Sequence, residues 1–147
     1  MAHVAQVAAL VTAGTNLVAG TLGAWRWWTV APSSAFWVAC RAGQAFAVAQ
    51  AAVAGVLAAL GFDPGDGLYW LYALLPVAVS FVAEQLRVTA AQAVLDAREL
   101  EDAAAVGRLD EAEQRSVVLA IVRREMGTMA AAALVVAFLA LRAWGTI

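Results

Sequence analysis

Two pairs of polar residues, each spaced three apart, interrupt long apolar runs: Arg41 with Gln44, and Glu84 with Arg87. On a helix that spacing puts both members on one face. The first pair therefore offers a guanidinium beside an amide, and the second a carboxylate beside a guanidinium. Arg26 precedes them, and Arg123, Arg124 and Glu125 follow. Guanidinium groups in partly dry surroundings grip phosphate, diphosphate or carboxylate groups through a fork of N–H donors. A carboxylate at the same level must pair with a cation, take up a proton or find water, because desolvation disfavours its charged form. Arg26, Arg41, Arg87, Arg123 and Arg124 outnumber Glu84 and Glu125 by three, so the collar these residues form is basic.

The elements that must position the collar are written in hydropathy. Apolar stretches cover residues 4–25, 35–60, 68–83 and 126–144, against a need of about 20 apolar residues for a spanning helix, and the expected spans are about 4–25, 35–60, 68–87 and 123–144. A hydrophobic fraction of 64% over 147 residues leaves too little polar surface for a soluble domain of this size. The expected fold is an all-α membrane protein, a single integral domain over residues 1–147. It is a bundle of four transmembrane helices whose third and fourth helices extend into a cytoplasmic helical hairpin over residues 88–122. Asp110-Glu111-Ala112-Glu113 matches a capping box and predicts a helix start after a break near Gly107.

Charge sets the orientation. The chain has no lysine, and every arginine but Arg142 falls on the side of the 88–122 segment, while the link from Phe62 to Gly67 carries no basic residue. The positive-inside rule then places residues 88–122 in the cytoplasm and both termini outside, in a plasma (inner) membrane. Trp25, Trp27, Trp28 and Trp37 mark the inner interface, and Tyr69, Trp70, Tyr72 and Trp144 the outer one. The amino terminus lacks a basic segment, and a removable signal peptide is not expected.

Counting inward at about 1.5 Å per residue puts Arg41, Arg87 and Glu125 near the inner hydrocarbon boundary, Gln44 and Glu84 about a turn deeper, and Gln50 near the midplane. Asn16 lies deep in the first span. An ion pair of Glu84 with Arg41 or Arg124 would fix helix register. Asn16 and Gln50 would either bond neighbouring helices or line a polar path. In the second span Ala39, Gly43, Ala47, Ala51, Gly55 and Ala59 form a stripe of small residues, a surface suited to a close helix contact within the bundle or between subunits.

Several chemistries are excluded. One cysteine, Cys40, allows no intrachain disulfide or redox pair, and one histidine, His3, allows no bis-histidine haem or histidine-rich metal site. No metal site is expected, and the sequence names no cofactor. The hairpin tip holds seven carboxylates against three arginines between residues 96 and 115, which repels nucleic acid. It reads as a solvated face, or as a docking handle for a basic partner.

Three functions fit the residues. The first is a small, oligomeric, non-enzymatic membrane protein that binds an anionic amphiphile or a partner subunit through Arg41, Gln44, Glu84, Arg87, Arg124 and Glu125. Its partners would be membrane lipids and either copies of itself or another membrane subunit. The second is an ion or proton channel or transporter whose route between subunits is lined by Asn16, Gln50 and a titrating Glu84, although the four spans show no internal repeat. The third is a membrane enzyme acting on a lipid-borne substrate, with Glu84 or Glu125 as base and arginines neutralising developing charge.

Overall fold

The computed structural model describes all 147 residues and is helical throughout, without strands. Six helices follow in order: α1 (Ala2–Thr29), α2 (Ser34–Ala59), α3 (Leu68–Val88), α4 (Ala90–Ala97), α5 (Ala103–Gly107) and α6 (Glu111–Trp144). Four helical segments are long and apolar enough to cross a membrane: α1, α2, α3 together with its continuation α4, and α6. They form a square in which α1 packs on α2 and α6, and α3 packs on α2 and α6, while the α2–α6 diagonal touches little.

Small side chains make most of the interior contacts, and many large ones point outward. The interior is lined by alanines such as Ala5, Ala9, Ala19, Ala47, Ala73, Ala83 and Ala140, whereas Val18, Trp28, Val38, Phe81 and Phe138 are exposed. Water would penalise that inversion, but an apolar solvent permits it, because close backbone approach then supplies the packing energy. Two apolar clusters divide the bundle lengthwise. One, around Phe36, Cys40, Met126 and Met129, lies at the collar end. The other, around Leu57, Tyr69, Ala73 and Ala143, lies at the end with the Phe62–Gly67 link. Between them run the buried polar residues, Thr12, Asn16 and Gln50.

Local chemistry explains the element boundaries. Ser33 accepts the Phe36 N–H at 3.2 Å and starts α2. Asp110 accepts the Glu113 N–H at 2.8 Å and starts α6, which runs unbroken for 34 residues. The residues ahead of it are less regular than the sequence pattern implies. Thr89 interrupts the helix only slightly, with its carbonyl still accepting the Ala93 N–H at 3.1 Å. A true break follows α4, where Glu99 takes a left-handed φ of 56°, and Asp102 then caps the short α5 through the Ala105 N–H at 2.7 Å. Val94, Leu95 and Val117 form a small apolar cluster that joins α4 to α6.

The small-residue stripe of α2 divides. Gly43 and Ala47 are buried, whereas Gly55 and Ala59 face outward. A Cβ on Gly43 would lie 2.7 Å from Asn16 Oδ1, so only glycine lets α1 and α2 approach this closely.

Candidate functional site

Helical spacing brings four of the collar residues together. Arg41 and Gln44 project from one face of α2 toward α3, where Glu84 and Arg87 sit three residues apart. Arg41 Nη1 donates to Glu84 Oε1 at 2.7 Å, and Nη2 reaches Oε2 at 3.4 Å. Arg87 Nε donates to Oε2 at 2.9 Å, and Gln44 Nε2 donates to Oε1 at 2.8 Å. Gln44 Oε1 in turn accepts from Arg41 Nη1 at 2.8 Å. Both carboxylate oxygens are therefore engaged, and two cations share one anion. The Glu84 side chain is 23% exposed and that of Arg41 55%. Arg87 also lies 5.8 Å from the centre of the Trp37 ring.

Both ion pairs of the chain fall on Glu84. Arg124 and Glu125 join neither, although they stand at the same end of the bundle. Arg124 is exposed and Glu125 half-buried. The cations on the α1–α6 side are thus left without a carboxylate. Arg123 stacks on Trp27, with its guanidinium carbon 5.0 Å from the ring centre, and Arg26 has a buried Nε with no acceptor. Beneath them runs a groove between α1 and α6 with a volume of about 360 Å³, lined by Ala24, Trp27, Gly127, Ala130, Ala131 and Leu134. The indole lies directly on Gly127, where a Cβ would come within 2.9 Å of Trp27 Nε1.

The deeper amides behave differently from one another. Asn16 Nδ2 donates to the carbonyls of Thr12 at 2.9 Å and Gly43 at 3.0 Å, tying α1 to α2. Thr12 makes a second tie through Oγ1 to the Phe46 carbonyl at 3.1 Å. Asn16 also lines a cavity of about 10 Å³ together with Gln44, Cys40 and Ser80, room for roughly one water molecule. Gln50 is 2% exposed, and neither Nε2 nor Oε1 has a partner. Asn16, Gln44 and Glu84 therefore follow one another inside a single bundle, from its middle to the collar. Nowhere do three or more His, Cys, Asp or Glu side chains gather as a metal site would require.

Sequence reasoning grouped the collar by depth and by three-residue spacing, and left Arg41 and Arg124 as equal partners for Glu84; it missed the division into a neutralised α2–α3 half and an unpaired α1–α6 half. The available signal was Arg123 four residues before Gly127 on one helix face, a glycine where an aromatic ring could lie under the guanidinium. Thr12 gave no signal, since single hydroxyls are common in apolar helices, whereas Ser80 stands four residues before Glu84 and so shares its face. Comparison with known proteins finds no matching family model, no matching curated protein and no matching solved structure.

Proposed function

We propose that the protein is a small, non-enzymatic component of the plasma membrane that holds an anionic amphiphile at the cytoplasmic leaflet. In this reading both termini lie outside and residues 88–122 lie in the cytoplasm. The head group sits against Arg26, Arg123 and Arg124, and the tail occupies the α1–α6 groove. The observation that carries the reading is the coincidence of an apolar groove with three arginines that have no carboxylate partner. A guanidinium stacked on an indole keeps its N–H fork free for an anion. Arg41, Gln44, Glu84 and Arg87 then serve a different purpose, locking α2 to α3 in register on the opposite side of the bundle. The direct test is titration of the purified protein with dodecyl phosphate and, separately, with dodecanol. Saturable binding of the phosphate alone, weakened about tenfold by Arg123→Ala, supports the reading; equal binding of both compounds overturns it.

A second reading has one observation in its favour. Gln44 bonds Glu84 at the collar, and Gln44 and Asn16 both line one small, mostly apolar cavity that leads inward from it. An ion or proton path would use that cavity within one subunit, with Glu84 at its mouth. Proton flux in proteoliposomes that disappears in both Glu84→Gln and Asn16→Leu would favour it over amphiphile binding.

A further inference from the structure

Gln50 is the one deeply buried side chain with no hydrogen-bond partner for either end of its amide. In water the defect could be repaired by solvent. In hydrocarbon an unsatisfied amide costs several kcal/mol, and a lipid tail has nothing to offer it. Gln50 lines a groove of about 270 Å³ between α1 and α2, whose other walls include Val7, Val11, Phe46, Ala49 and Val53. The groove shares no lining residue with the α1–α6 site and continues toward Val56 and Leu57.

We propose that this groove is where a second copy of the chain docks, parallel to the first, so that Gln50 bonds Gln50 of the other copy. Three features select a second copy over any other occupant. An amide carries one donor group and one acceptor, so two identical amides satisfy each other. A two-fold axis along the bundle brings each residue of α2 opposite its own counterpart, and an isologous contact requires that self-pairing. The other polar residue in the walls, Thr12, already donates to the Phe46 carbonyl, so the Gln50 amide supplies the directional contact and fixes the register of the pair. In the dimer the buried Gln50 side chain turns outward into the groove it lines, whose volume of about 270 Å³ gives it room. The inference rests on placement of the chain in a membrane, but it is independent of the amphiphile.

The test is single-molecule photobleaching of the full-length, labelled protein in liposomes over a range of protein-to-lipid ratios. Wild-type protein is expected to dimerise, and Gln50→Leu to weaken the dimer by about tenfold, the scale of an interhelical amide contact in membranes. Ala49→Phe, which fills the groove from an outward-facing position, should weaken it as well without touching the amide. Circular dichroism checks that each variant remains folded. In a Cys40→Ala background, Ala49→Cys should cross-link two copies on mild oxidation, whereas Phe138→Cys on α6 should not. A monomer at every density overturns the proposal. So does a dimer indifferent to both Gln50→Leu and Ala49→Phe, or one that cross-links through position 138.

Discussion

The Arg41–Glu84 pair gives the sharpest quantitative expectation, because it joins two helices while Arg87–Glu84 stays within one. Consider Arg41→Met, Glu84→Gln and the double variant. Arg41 presents two nitrogens to the carboxylate at 2.7 and 3.4 Å, close to a bidentate grip. A hydrogen bond between charged groups contributes about 1.5–3 kcal/mol, against roughly 0.2–1 for an exposed pair. Arg41 is more than half exposed, and Arg87 continues to hold the carboxylate after Arg41 is removed, so the lower range applies. The coupling energy from the double-variant cycle should be about 1 kcal/mol, roughly fivefold in the unfolding equilibrium. Reversible unfolding of the protein in mixed micelles, followed by circular dichroism, measures it. The same cycle on Arg87 and Glu84 should give only about 0.3–0.5 kcal/mol, the usual value for neighbours on one helix. A coupling below about 0.5 kcal/mol for Arg41 and Glu84, or equal values for the two pairs, would refute the assignment of this network to helix register.

Other substitutions probe separate parts of the architecture. Gly43→Val should destabilise the fold by about 2–4 kcal/mol, combining overpacking against Asn16 with loss of its bond to the Gly43 carbonyl; unchanged unfolding in the same micelles would contradict the close α1–α2 approach. Asp110→Ala removes the cap of α6 and should cost that helix end about 1 kcal/mol. Hydrogen exchange should then rise in the first turns after Glu111 while the Phe36–Met129 region stays protected. Gly127→Leu should lift Trp27 off α6 and weaken binding of dodecyl phosphate about as much as Arg123→Ala does, with the α2–α3 network and its coupling energy intact.

Much of the frame was legible in the sequence because its signals are one-dimensional. Hydropathy and length outline α1, α2, α3 and the last part of α6, and the Asp110-Glu111-Ala112-Glu113 pattern marks the start of α6. Three-residue spacing correctly put Arg41 with Gln44 and Glu84 with Arg87, since each pair shares a helix. Which pairs face one another is a property of helix rotation, and an alanine-rich chain records rotation poorly because nearly every face carries small residues. For that reason Arg124 was as good a partner for Glu84 as Arg41, and spacing did not show that the stripe of α2 turns from buried at Gly43 and Ala47 to outward-facing at Gly55 and Ala59. Gln50 is the same lesson in reverse. Its depth was readable, but its lack of a partner emerges only when every neighbouring donor and acceptor has been placed.

Native mass spectrometry of the protein released from its own membranes in mild detergent tests the central claim most directly, with wild type, Arg123→Ala and Glu84→Gln compared. A stoichiometric anionic amphiphile should accompany the wild type, disappear in Arg123→Ala and persist on Glu84→Gln, whose loss of charge lies on the α2–α3 side. A wild-type protein that carries no such molecule, or one whose ligand departs with Glu84→Gln and survives Arg123→Ala, would contradict the account.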